Sequence, residues 1–407
     1  MMIIVSNILQ FYTTYYPIIM TLIWILGSWI SGNQSHTSDS KYDSLLNASV
    51  TILLPTFNEE HTVIDTLKSL VALNYTNYTI IVVDDKSNDC TVSVVKKWLL
   101  RNTPEVSIKL LELPSNMGKA QALNEAMSYV ESEYVLVTDA DALMNPNALN
   151  QMLKKFDREN VGAVTGKPVV RNRTTILGRL QTLEYVGIID RIKRAQDSLF
   201  GGIMTVAGVI ALYRSEALSD VGGFDKTVVT EDIDMTWRLR RKKWLIHYTP
   251  LALTYILVPE TFSGYFKQRI RWSVGGLEVF LKNAKWVYHN EDVKQKFLLF
   301  DMLFSHIWAW LALITFFQYI IVTIGTQTFS LPGVIILIYI ALFSIMICQG
   351  IIQDKRHSQL SFHDVFEIPF YSTFYWTTAL ITAIASQIIV CTLHRRKGSW
   401  TSPDRGR

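Results

Sequence analysis

Two carboxylates, Asp139 and Asp141, stand two positions apart directly after the apolar run Tyr134–Thr138. At a strand end such a pair can share a hard divalent cation and a phosphate-bearing ligand, because magnesium takes one or two carboxylates with phosphate oxygens and water. The same residues also suit a solvated turn or a helix N-cap, since DADALMNP runs into Asn145-Pro146. Thr230-Glu231-Asp232 follows an irregular stretch, VGGFDKTVV, and opens the helix-like run Ile233–Lys242. A carboxylate there either caps the helix or acts as a general base on a hydroxyl. Gln268-Arg269-Ile270-Arg271-Trp272 joins an amide, a guanidinium suited to a diphosphate and a flat apolar face. Its alternative is a basic, aromatic helix lying at a membrane interface. Asn116-Met117-Gly118-Lys119 precedes another helical stretch, which brings a lysine and free N–H groups to an anion or simply caps the helix.

These groups need a frame. Residues 49–54, 79–84, 106–112 and 134–138 are short, apolar, β-branched runs, and 59–73, 91–102 and 118–131 between them have helical character. The alternation predicts an α/β domain with a parallel sheet and helices on both faces. Such sheets bind ligands beyond the carboxyl ends of their strands. Asn58 and Glu59, Asp84 and Asp85, and Asp139 and Asp141 all fall at those ends. Neither GxGxxG nor GxxxxGK[ST] occurs, which argues against a dinucleotide dehydrogenase and a P-loop enzyme.

The rest of the 407 residues are more apolar than a soluble protein requires, with 49% hydrophobic residues gathered toward the two ends. The net charge of +4 is too small to point to nucleic acid. Cys90, Cys348 and Cys391 are widely spaced and support neither a disulfide framework nor a zinc site. Residues 1–38 contain no Asp, Glu, Lys or Arg, and Phe11–Ile30 is long enough to cross a bilayer. Without a basic leader or a clear cleavage site it reads as an uncleaved anchor. Met302–Gln353 is also free of those four residue types, and GTQTFSLPG at 325–333 divides it into spans near 300–324 and 333–353. A further span covers Ile368–Leu393. Lys355 and Arg356 place the middle of the chain in the cytosol. Arg395, Arg396 and Lys397 vote for that side too, whereas four spans put the tail on the other.

In order along the chain, Pro55 with Asn58-Glu59, Asp84-Asp85, Asp139-x-Asp141, Thr230-Glu231-Asp232 and Gln268-x-x-Arg271-Trp272 resemble the motif set of processive family 2 glycosyltransferases with a GT-A fold. GKAQALNE, GAVTG, ILGRLQTLEY, LVPET and SPDRG are similar to segments of bacterial poly-β-1,6-N-acetylglucosamine synthases. The resemblance implies that Asp85 meets the uracil or ribose, that Asp139 and Asp141 meet UDP and Mg²⁺ (or Mn²⁺), and that Asp232 is the base. It implies that Glu231 and Asp141 belong to the catalytic group. Pro55, Asn58, Glu59, Lys119 and Thr230 would border the substrate, with Gln268, Arg271 and Trp272 holding the diphosphate and the acceptor sugar. Lys86 stands where relatives often have glycine, so the nucleotide loop needs a different backbone or an outward-turned side chain.

The expected layout is a transmembrane anchor (1–32), a cytosolic GT-A domain (45–260), interfacial helices with QRIRW (261–298), about three further transmembrane helices (299–393) and a basic tail (394–407). The implied protein is a multi-pass enzyme of a bacterial cell membrane. It polymerises N-acetylglucosamine from UDP-GlcNAc into a β-1,6-linked biofilm exopolysaccharide and assists its export across the lipid bilayer. A small membrane accessory subunit is implied by the resemblance alone. Another β-linked polymer of the hyaluronan, chitin or cellulose type, or a lipid-linked sugar, is the alternative product. A transporter or receptor that merely binds nucleotide is a rival of another class.

Overall fold

Strands β1 (Val50–Thr56), β2 (Tyr78–Asp84) and β4 (Tyr134–Val137) are buried almost throughout, as expected of strands covered on both faces. In the computed structural model, which describes residues 2–32, 45, 47–327, 333–354, 360 and 362–392, their side chains alternate between two cores. Ile52, Leu54, Ile80, Val82 and Leu136 pack with Leu67 and Leu70 of α2 (Val63–Val71) and Val95 of α3 (Thr91–Asn102). Leu53, Ile81, Val83, Val135 and Val137 face the other way, onto Ala122, Leu123 and Ala126 of α4 (Lys119–Met127). With β3 (Ile108–Glu112), these elements lie where the alternation of the sequence predicts them.

Among the described residues the sheet has eight strands in the order β3-β2-β1-β4-β7-β6-β8-β5. The other members are β5 (Leu143–Met144), β6 (Val161–Val170), β7 (Ala211–Arg214) and β8 (Leu245–Ile256). β3, β2, β1 and β4 run parallel, as expected. β7, which lies beyond the four strands read from the sequence, makes the sheet mixed, because it pairs antiparallel with both β4 and β6. The reason is where the chain comes from. It reaches β7 through Ala207 and Gly208, beside the carboxyl end of β4, so Ala211 pairs with Val137 and the strand must run back toward Tyr134. The strand order reverses about β1, and the loops after β1, β2 and β4 open on one side of the sheet.

Between β6 and β7 the chain forms α5 (Ile176–Glu184), a single π-helical turn (Tyr185–Ile189) and α6 (Asp190–Phe200). Among the described residues four helices are long and apolar enough to cross a membrane: Asn7–Ser31 within α1 (Met2–Gly32), Val293–Thr326, Ile335–Asp354 and Asp364–Thr392. Two of them grip this segment. Gly27 sits so close to α6 that a Cβ there would lie 2.6 Å from Leu199 Cδ1, and Ser198 donates to the Gly27 carbonyl at 2.7 Å. Gly187 of the π turn meets Ile347, and Gly350 meets the Val186 carbonyl. A buried ionic cluster closes the seam: Asp190 receives Arg194, Tyr248 and Lys167, and Lys167 pairs with Asp354 at 2.5 Å. The basic residues of the 355–359 loop and of the tail, on which the sidedness argument rested, lie outside the described residues.

Candidate active site

A cavity of about 930 Å³ lies beyond the carboxyl ends of β1 and β4. The parallel strands supply one wall. Asp139 and Asp141 leave β4 in a turn pinned by Thr66, whose hydroxyl donates to the Ala140 carbonyl at 2.9 Å, and both aspartates line the cavity. Lys119, the first residue of α4, reaches across with its ammonium 2.7 Å from Asp139 Oδ1 and 3.0 Å from Glu231 Oε1. Burial alone would lower the Lys119 pKa, but the charges of Asp139 and Glu231 outweigh it and hold the lysine protonated.

The opposite wall is the first turn of α7 (Glu231–Arg241), where Glu231 and Asp232 sit at a helix N-terminus that favours negative charge. Their environments push them apart. Glu231 is burdened by burial, yet Lys119 outweighs that and lowers its pKa. Asp232 is raised to about 6, first by burial and then by the charge of Glu231. Two adjacent carboxyls thereby take different roles, one a permanent anion and one a proton acceptor poised near neutral pH. Asp232 is also held in place: Oδ1 accepts from the Ile233 amide at 2.9 Å and Oδ2 from the Gly208 amide at 3.2 Å. A Cβ on Gly208 would lie 3.2 Å from that Oδ2 and 3.4 Å from Lys119 Nζ, so glycine is what lets the backbone approach both.

Gln268, Arg271 and Trp272 line the cavity from α8 (Phe262–Lys282). Arg271 is exposed to the opening, and its charge favours the ionised forms of Glu231 and Asp232. The residue between them matters as much. Arg269 is buried, forks onto Glu184 through Nε at 3.1 Å and Nη2 at 2.7 Å, and donates to Gln268 Oε1 at 2.7 Å. Its guanidinium lies 4.3 Å from the centre of the Trp272 ring. Arg269 and Glu184 thus fix both recognition side chains, a role that the sequence alone assigns to neither. The available signal was a second arginine within QRIRW and a glutamate closing ILGRLQTLE, residues that a local reading cannot pair.

The remaining sequence-derived residues separate into two groups. Glu59 lines the cavity and accepts from Thr62 Oγ1 at 2.6 Å; Thr230 lines it too, packed against Gly275 of α8. Pro55, Asn58 and Asp85 do not line it. Pro55 is buried within β1. Asn58 takes φ 57° and accepts from the Asn88 amide at 2.8 Å, tying the loop after β1 to the loop after β2. Asp85 is fully buried and accepts from the Met117 and Gly118 amides at 2.7 and 2.8 Å, which shapes the loop that presents Lys119. Lys86 takes the left-handed backbone of a glycine, φ 60°, with its side chain exposed. The sequence had offered a changed backbone or an outward side chain; the chain keeps the glycine-like backbone and turns the side chain outward as well.

The donor set suits a divalent cation. Asp139 and Asp141 stand in one wall of a cavity with room for phosphate oxygens and water. Among the described residues no three His, Cys, Asp or Glu side chains are grouped to hold a metal ion. Magnesium beside a nucleotide needs only one or two carboxylates from a protein.

Residues 47–275 match the family model described as "Glycosyltransferase like family 2". The chain is 34% identical to a poly-beta-1,6-N-acetyl-D-glucosamine synthase of Staphylococcus epidermidis, with 96% of this chain and 97% of that protein aligned. A synthase of the same name from Staphylococcus aureus is 32% identical over the same shares. Among solved structures, a mannosyltransferase from Pyrobaculum calidifontis in complex with GDP-Man and Mn²⁺ superposes with a TM-score of 0.68. That match covers 95% of this chain and 99% of the other at 20% identity, and so speaks for the shared fold.

Proposed function

This chain belongs to glycosyltransferase family 2, and from that premise we propose that it polymerises N-acetylglucosamine from UDP-GlcNAc into a β-1,6-linked chain. The observation that carries the reaction is the split pair Glu231 and Asp232 opposite Asp139 and Asp141 across one cavity. The named relatives support the choice of polymer, since they align along nearly their whole length.

The acceptor's 6-hydroxyl is placed against Asp232, which takes its proton as the oxygen attacks the anomeric carbon. The new C–O bond forms as the bond to the diphosphate breaks, and the anomeric configuration inverts. The Gly208 and Ile233 amides aim the base, and such positioned proton transfer is worth roughly 10²–10⁴-fold. Glu231 stays ionised and keeps Lys119 charged beside Asp139. Arg271 brings a second cation to the departing UDP. Asp139 and Asp141 would hold a divalent cation, Mg²⁺ or Mn²⁺, which when bound neutralises charge on the diphosphate. Trp272, locked by Arg269, offers a flat apolar face to a sugar ring.

The enzyme works in a bacterial cell membrane with its catalytic domain on the cytosolic side. The cavity reaches Tyr375 and Ile389 of the last apolar helix, α9 (Ile368–Thr392). The next residue, Trp376, lines a second crevice of about 220 Å³ with Trp308 and Tyr339. The placement of Tyr375 and Ile389 in the catalytic cavity supports passage of the growing chain beside this helix. A small membrane accessory subunit belongs to this reading through the resemblance alone.

The test feeds single UDP-sugars to membranes carrying the chain and digests the product with linkage-specific hydrolases. Polymer cleaved only by a β-1,6-N-acetylglucosaminidase supports the reading. A product cut by hyaluronidase, chitinase or cellulase instead would overturn it. Asp232→Asn should lose about 10²–10⁴-fold of turnover and keep UDP binding, and exhaustive chelation should stop synthesis until Mg²⁺ or Mn²⁺ returns.

A further inference from the structure

Lys193 lies on α6 and lines the catalytic cavity, yet the chemistry above does not use it. Its helix is unusually committed. Asp190 and Arg194 belong to the buried ionic cluster, and Arg191 joins it through Asp190 and Gln353. Gln196 Oε1 accepts from the Met204 amide at 3.1 Å, Asp197 meets His247 at 2.7 Å, and Ser198 donates to Gly27. The Lys193 ammonium has no hydrogen-bond or ion-pair partner among the described residues, and it stands 5.9 Å from the centre of the Tyr248 ring. The cavity lining from the same helix and the segment before β7 includes Ile189, Ile192 and Val206 as well as Gln196 and Thr205. Burial lowers its pKa to about 8, against the pull of Asp232. Lys193 is part-buried in the cavity wall, so its unpaired ammonium can donate to a ligand oxygen there.

The position selects which ligand. Lys119 and the DxD pair stand at the strand ends, where the diphosphate belongs, and Lys119 is already shared between Asp139 and Glu231. Lys193 instead projects from the helix that packs on the first apolar helix, near enough for Asp232 to act on its charge. Tyr375 and Ile389 of the last apolar helix line the same cavity.

We propose that Lys193 is an acceptor-binding and specificity residue, donating to a hydroxyl or acetamido oxygen of the acceptor saccharide and repelling any acceptor that carries a free amine. It rests on the reading of the product as an N-acetylglucosamine polymer. A protonated glucosamine unit seated there would bring a second cation against Lys193, and like charges repel. Lys193 thereby limits elongation to acetylated ends, independently of the donor.

The full chain in membranes, supplied with UDP-GlcNAc, is assayed with soluble β-1,6-linked glucosamine oligosaccharides, either fully N-acetylated or de-N-acetylated. Lys193→Met should raise the KM for the acetylated acceptor about 10–100-fold, the range of a lost charge-assisted hydrogen bond. The KM for UDP-GlcNAc should stay at the wild-type value, and the preference for acetylated over free-amine acceptor should shrink. Lys193→Arg, which keeps charge and donors, should retain that preference. An unchanged acceptor KM in Lys193→Met, or an equal rise in donor KM, would overturn the assignment alone. Wild-type membranes that add no N-acetylglucosamine to either oligosaccharide would overturn the polymer reading together with it.

Discussion

Replacing Arg269 with methionine removes the fork on Glu184, the donor to Gln268 and the plate beneath Trp272 in one step. Both partners of the ion pair are more than nine-tenths buried, so the orphaned Glu184 carboxylate stays out of water. Breaking a buried pair from one side costs about 3–5 kcal/mol. At about 2–4 °C per kcal/mol for a domain of this size, the melting temperature should fall by about 6–20 °C. Glu184→Gln combined with Arg269→Met removes both charges, and most of that loss should return, because an uncharged pair has no desolvated ion to strand. Activity should not return with it, since Gln268 and Trp272 remain unlocked. The assay is a double-mutant cycle on detergent-extracted protein, reading melting temperature and kcat/KM for UDP-GlcNAc in parallel. The reasoning fails if Arg269→Met melts within 2 °C of wild type. It fails equally if the double variant is as unstable as the sum of the singles, because coupled neighbours should not add.

The remaining expectations are simpler. With Asp232 raised to about 6 by burial and by Glu231, only its deprotonated form can take the acceptor proton. The logarithm of kcat/KM should therefore climb with unit slope below about pH 6 and level off above it; a flat profile between pH 5 and 7 would reject Asp232 as the base. A Cβ on Gly275 would lie 2.3 Å from Thr230 Oγ1 and Cγ2, driving α8 away from the turn that carries Glu231 and Asp232. Gly275→Ala should cost about 1–3 kcal/mol and about 10²-fold in kcat. Gly276→Ala, whose Cβ meets only Met302 Cε at 3.7 Å, should be near wild type in both melting temperature and rate. Lys86 sits at φ 60°, so Lys86→Gly should raise the melting temperature by about 1–4 °C while Lys86→Ala does not, as a calorimetric scan would show.

Local sequence was enough for the strands and helices of the first half of the domain. A continuous apolar run bounded by polar residues becomes a doubly covered strand whatever its partner, and its carboxyl end carries Asp84, Asp85 or Asp139 by chain order alone. The apolar helices were equally legible, because a long stretch without charge has few other structures open to it. Motif order likewise brought Asp232, Gln268 and Trp272 into the argument before any coordinates.

What the sequence could not hold were relations between distant residues. β7 runs antiparallel because of where the preceding helices deliver the chain, a matter of path rather than periodicity. Glu184 and Arg269 lie 85 positions apart, and nothing in either neighbourhood marks one as the other's partner. Lys119 meets Glu231 only once the two walls of the cavity close. That contact separates Glu231 from Asp232, two adjacent acids with nearly the same intrinsic pKa. Residue type and spacing determined which groups are present; burial and separation in space, on which electrostatic energy depends, decided which carries a charge, which takes a proton and which is left for the substrate.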